Sequence, residues 1–143
     1  MERIASIKIQ AKLKNLSEIR KFIELQAREI GISEEDTSRI RMAVDEASAN
    51  IILHGYGDLE GDLGVNIDHG DGKLTVSLVD SAPAFNPLQR DTQVDLNSPL
   101  EERPIGGLGI LFILDTTDAQ EYRYSEAGEN ILSLTINERG HQP

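Results

Sequence analysis

Two runs of strict alternation constrain this chain most. Leu63, Val65 and Ile67 alternate with polar neighbours, and Leu74, Val76 and Leu78 do so again after Gly70-Asp71-Gly72. A two-residue period gives each strand one apolar face, and the Gly-Asp-Gly turn joins the two as a β-hairpin. A sheet with one apolar face needs cover, so amphipathic helices must pack against it. Residues 4 to 11 read as a first strand with Ala5, Ile7 and Ile9 on one face. A helix beginning near Asn15 or Ser17 carries Ile19, Phe22, Ile23, Ala27 and Ile30 at helical spacing and stops at Gly31. Ser33 caps a second helix, with Glu34, Glu35 and Asp36 at the positive end of its dipole. It should run to about His54, with Gly55 and Gly57 ending it.

From Leu88 to Ile105 no period survives, and a loop of that length in a compact domain is functional or disordered. Gly106-Gly107-Leu108-Gly109 then opens a short apolar helix, and a last hairpin joins Ala119–Tyr124 to Asn130–Ile136 through Ala127-Gly128. The order β, α, α, β, β, loop, α, β, β predicts an α+β fold, a two-layer sandwich with helices on one face of a mixed, mostly antiparallel sheet. At 143 residues without cysteine, the chain is long enough to bury a core with no disulfide, and a single domain over 1–143 is expected.

Charge narrows the partners. The chain has 25 acidic and 14 basic side chains, a formal net of −11, with the basic ones scattered. Nucleic acid binding needs a positive footprint, so none is expected. The longest nearly apolar run, Ile105 to Leu114, is far short of the roughly 20 residues that span a bilayer. Met1-Glu2-Arg3-Ile4 has no basic region followed by an apolar one, so no membrane association and a cytoplasmic setting are expected. An anionic ligand would be attracted locally, by amides, a helix end, a metal ion or a few arginines.

Three stretches carry chemistry. In the second helix Glu46, Asn50 and His54 recur every four residues and form one stripe. The stripe is either a solvated polar edge or a ligand face, with Ala43, Ala47 and Ala49 leaving room beside it. A carboxylate and an amide at that spacing suit Mg²⁺ and its waters. Asp80 ends the Leu74, Val76, Leu78 stripe and points inward, where it either closes the strand or accepts from a neutral donor such as an adenine amino group. Pro83, Phe85 and Pro87 follow as a stiff apolar turn able to wall a flat ring. Gly106-Gly107-Leu108-Gly109 is either an ordinary helix start or a place where amides approach phosphates, with Arg90 and Arg103 nearby to add charge. P-loop and protein-kinase signatures are absent.

Together and in order, the three stretches resemble the nucleotide-binding boxes of the GHKL ATPase superfamily. Asp45-Glu46-Ala-Ser-Ala-Asn50 with His54-Gly55-Tyr56 resembles the N box, Asp80-Ser-Ala-Pro-Ala-Phe85-Asn86-Pro87 the first glycine box, and Gly106-Gly107-Leu108-Gly109-Ile110 the second. The details are similar to the bacterial anti-sigma-factor serine/threonine kinases, and the likeness extends to Gly128-x-Asn130-x-Leu132. The resemblance implies a Bergerat-type fold that binds ATP and Mg²⁺, with Glu46 as general base, Asn50 as metal ligand and Asp80 as the adenine contact. Ala82 and Phe85 would complete the adenine side. Gly106, Gly107, Leu108 and Gly109 would hold the phosphates with Arg103, under a lid over 88–105. It further implies an antagonist-like protein as substrate and a sigma factor as second partner, and leaves room for a homodimer. Sequestration of a partner without kinase activity is the alternative. One position departs: the family usually reads Asp-x-Gly where this chain has Ala82, whose methyl narrows the pocket and disfavours positive φ.

Overall fold

The computed structural model describes residues 1–89 and 107–139, so most of the lid segment, with Arg90, Arg103 and Gly106, lies outside the described residues. Its elements are β1 (Glu2–Gln10), α1 (Leu16–Glu29), α2 (Glu34–Asn50), β2 (Asp62–Gly70), β3 (Lys73–Asp80), α3 (Gly107–Thr116), β4 (Ala119–Tyr124) and β5 (Asn130–Asn137). The strands form one five-stranded sheet in the order β1-β2-β3-β5-β4. Every pairing among the described residues is antiparallel, so the sheet is not mixed as expected. Both hairpins contribute adjacent strands, and β5 rather than β4 meets β3, which keeps each neighbour reversed.

Register carries the apolar stripes across the sheet. Val65 faces Leu78, Ile67 faces Val76, and on the other side Leu78 faces Leu132 and Val76 faces Leu134. All six are at most 2% exposed and lie under α1 and α2 through Ile19, Ile23, Ile40 and Val44. Burying each such side chain contributes about 1.5–3 kcal/mol.

The helix ends follow local chemistry. Gly31 takes φ +81° while the Ile32 N–H returns to the Ala27 carbonyl at 2.9 Å, which terminates α1. The Ser33 hydroxyl accepts from the Asp36 N–H at 3.1 Å and starts α2. The second helix then differs from expectation: α-helix ends at Asn50 and a π-helical turn runs over Ile51–Tyr56. Tyr56 anchors that wider turn, donating its hydroxyl to the Asp62 carbonyl at 2.6 Å and accepting from the Ser81 N–H at 2.9 Å. Its ring lies over Gly61, where an added β-carbon would stand 2.4 Å from a ring carbon.

A charged cluster ties the start of α2 to the sheet. Arg39 bonds Asp36 at 3.0 Å and Asp118 at 2.9 Å, while the Arg139 N–H reaches Asp36 at 2.9 Å and the Asn137 N–H reaches Asp118 at 2.6 Å. Asp36 is 1% exposed, whereas the Arg3–Asp68 pair lies on the surface. Removing one partner of a buried pair strands a charge, which costs far more than losing a surface pair. We predict that Arg39→Met lowers the unfolding free energy by about 3 kcal/mol and Arg3→Met by less than about 1 kcal/mol. Urea denaturation of the two variants measures this; equal midpoints would contradict the ranking.

Candidate functional site

Strand parity aims Asp80 into the helix-covered layer, and the register sets it opposite Leu63 on one side and Asn130 on the other. It is 3% exposed. Its Oδ1 accepts from the Ala82 N–H at 2.9 Å and from Asn130 Nδ2 at 2.8 Å, while Oδ2 has no hydrogen bond among the described residues. Burial pushes the carboxyl above its ordinary value, against the lowering effect of the Asn130 and Ala82 hydrogen bonds.

Asp80 therefore both turns the chain and remains an acceptor. The turn after it is organised by Asn130, which donates to the Ala82 and Pro83 carbonyls at 3.0 and 3.3 Å and accepts from the Phe85 N–H at 2.9 Å. Phe85 lies against the π turn, where a β-carbon on Gly55 would stand 3.2 Å from its ring. Ala82 is buried at 2% exposure without a positive φ; among non-glycine described residues that conformation falls to Asp71. The strain foreseen for a methyl at this position does not arise.

The α2 stripe faces inward as well. Glu46 and His54 are half-buried and Asn50 is 5% exposed, so the stripe is not a solvated edge. Ala43 and Ala47 are fully buried in the core, so the room they make is taken by close helix-to-sheet packing and not by a ligand. Asn50 Nδ2 is buried with no hydrogen-bond partner among the described residues. Stranding a buried polar atom costs about 1–3 kcal/mol, a penalty a bound ligand would relieve. The amide presents oxygen or nitrogen by a 180° rotation.

Glu46 meets the start of α3. A β-carbon placed on Gly109 would stand 2.7 Å from Glu46 Oε2, so the carboxylate rests against the glycine's bare α-carbon. Gly107 and Leu108 share that first turn. The structure thus brings Glu46 to Gly109, Asn50 onto the same helix one turn on, and Asp80, Ala82 and Phe85 to the facing strand end. Among the described residues no group of three or more acidic or histidine side chains is placed to hold a metal. Mg²⁺ typically keeps waters and substrate phosphates beside one or two protein ligands, so Asn50 fits it as a single oxygen donor.

The sequence motifs assign no role to Asn130, Tyr122 or Tyr56. A signal for Asn130 exists: it opens the Leu132, Leu134, Ile136 stripe as Asp80 closes the stripe of β3, and two polar residues at the same end of paired apolar stripes must answer each other.

A one-sided antiparallel sheet roofed by helices, with an inward aspartate at its middle strand and a glycine segment beside a helical glutamate, is consistent with an ATPase domain of the histidine-kinase type. Residues 9–136 match the histidine kinase-like ATPase domain, and the chain belongs to that family. It is similar to serine-protein kinase RsbW of Bacillus cereus (strain ATCC 10987 / NRS 248), 29% identical over 131 residues that cover 88% of this chain and 82% of that protein. RsbW of Bacillus mycoides (strain KBAB4) is 28% identical with the same coverage. The crystal structure of the RsbU and RsbW domains of a Mycobacterium tuberculosis protein shares the fold at a TM-score of 0.64 and 19% identity, over 94% of this chain and 32% of that one. The chain thus spans about a third of that structure. Among the described residues no helix is long and apolar enough to cross a membrane.

The raised Asp80 carboxyl has a consequence for stability. The folded state holds a proton that the unfolded chain has released, so stability falls as the pH rises from the ordinary carboxylate value, 3.8, through the higher folded one. At neutral pH the buried charge is a liability. We predict that Asp80→Asn, which keeps an oxygen for Asn130 and Ala82, raises the melting temperature at neutral pH and flattens its fall as the pH rises above 3.8. Thermal denaturation across that range measures it. A lower melting temperature would show that the charge itself holds the turn.

Proposed function

We propose that this protein is an ATP-dependent serine/threonine protein kinase of the anti-sigma-factor type, phosphorylating a small antagonist protein and holding a sigma factor as its other partner. The observation that carries the reading is the contact of Glu46 with Gly109, with Asn50 Nδ2, which has no partner among the described residues, one turn further along α2. It sets a carboxylate capable of acting on a hydroxyl beside the segment suited to phosphates. The kinase activity named for the relatives supports it.

In this reading Asp80 Oδ2 accepts the adenine amino group and Phe85 walls the ring. The amides of Gly107, Leu108 and Gly109 at the start of α3, together with Gly106, take the phosphates, where the helix dipole favours negative charge, and Arg103 adds a cation. Asn50 holds Mg²⁺, which when bound neutralises charge on the phosphates. Glu46 orients the incoming hydroxyl and receives its proton as the oxygen–phosphorus bond forms and ADP leaves. Segment 88–105 serves as the lid, and the setting is the cytoplasm.

We predict that Glu46→Gln keeps ATP binding and loses phosphoryl transfer by about 10²–10⁴-fold, the usual contribution of a general base. Asn50→Ala should weaken binding of Mg-ATP as well. Label transfer from γ-labelled ATP to antagonist-type proteins, run beside nucleotide titrations, separates the two. Undiminished transfer by Glu46→Gln removes that residue from the mechanism. ATP binding without transfer by the parent to any such protein would favour a regulator that sequesters its partner.

A further inference from the structure

Asn130 is 2% exposed and its amide meets five groups. The oxygen accepts from the Phe85 N–H and from the Tyr122 hydroxyl. The nitrogen donates toward Asp80 Oδ1 and the Ala82 and Pro83 carbonyls. An amide has an acceptor end and a donor end, so a flipped Asn130 would aim its oxygen at three acceptors and its NH₂ at the Phe85 N–H, whereas the Tyr122 hydroxyl can meet either end. The turn's own Phe85 N–H and the three acceptors therefore fix which way the amide faces, while the Tyr122 hydroxyl reaches in from β4 and holds its oxygen in place.

We infer that Tyr122 and Asn130 are positioning residues that set the Asp80 carboxylate for reading the base, and so help determine specificity for adenine. The inference rests on the ATP reading given above. With Oδ1 taken by Asn130 Nδ2 and the Ala82 N–H, the carboxylate plane is fixed and Oδ2 is left to accept from a ligand. The same amide anchors Ala82, Pro83 and Phe85, so the ring wall and the acceptor are held as one piece. Tyr122 is half-buried on β4, opposite Leu132, and has no part in the phosphate chemistry proposed above.

A purely structural role would weaken all nucleotides alike, whereas a positioning role acts through the 6-amino group. The test compares ATP with purine riboside 5′-triphosphate, which lacks only that group, by titrating the parent, Tyr122→Phe and Asn130→Asp. The parent should favour ATP by about tenfold or more, as for a hydrogen bond to a charged acceptor. Tyr122→Phe should weaken ATP about 3–10-fold and leave the analogue unchanged, narrowing the gap. Asn130→Asp sets a second carboxylate at hydrogen-bond distance from Asp80, forces the pair to share a proton, and should close the gap. Should Asn130→Asp fail to fold, Tyr122→Phe decides the matter. An unchanged gap in the variants overturns the inference and leaves the ATP site standing, as does a parent that binds both nucleotides equally. A parent that binds neither overturns the ATP reading and the inference with it.

Discussion

A carboxylate at the inward end of an apolar stripe must find donors or give up its charge. Asp80 stands in that position on the middle strand of the sheet, and its donors come from the strand register and from the first amide of the following turn. Asn130 lies directly across from it because β5 pairs antiparallel with β3 along eight residues, from Lys73 opposite Asn137 to Asp80 opposite Asn130. A shift by one residue would turn Asn130 to the outer face and with it every apolar residue of β5. Core packing and the polar hub thus depend on the same alignment.

The helical side meets this strand end through the π turn. Tyr56 bonds the backbone at Asp62 and at Ser81, so it joins the entry of β2 to the exit of β3 beside Asp80. Gly55 in the same turn lies under Phe85. A regular α-helix continued through these residues would carry them elsewhere. Asn50, the last α-helical residue, keeps a buried Nδ2 with no partner among the described residues, at a cost to stability, and local departures of this kind concentrate where a protein binds something.

Much of the architecture was legible because burial acts through period. The alternation of Leu74, Val76 and Leu78 and the cap at Ser33 each report a local constraint, and both appear as read. The all-antiparallel pairing was not legible, since which hairpin strand meets β3 is decided by long-range packing that no local pattern records. The π turn over Ile51–Tyr56 was hidden because α and π spacing differ little across six residues. Ala43 and Ala47 were read as space for a ligand; small residues serve equally for close packing, and the structure uses them so. Asn130 was named only as part of a resemblance; its place at the polar end of an apolar stripe was a signal, but its partner there follows from a register that the sequence does not state. Arg103 and Gly106 lie outside the described residues, so the structure bears on neither.

In the proposed site one nucleotide bridges the α2 stripe and the end of β3. The side-chain amide resonances of Asn50 and Asn130 report those two places separately, and NMR titration of the labelled protein follows both at once. ATP without metal should shift the Asn130 amide, and adding Mg²⁺ should then shift the Asn50 amide. Saturating Mg-ATP that moved neither resonance would contradict this bridging.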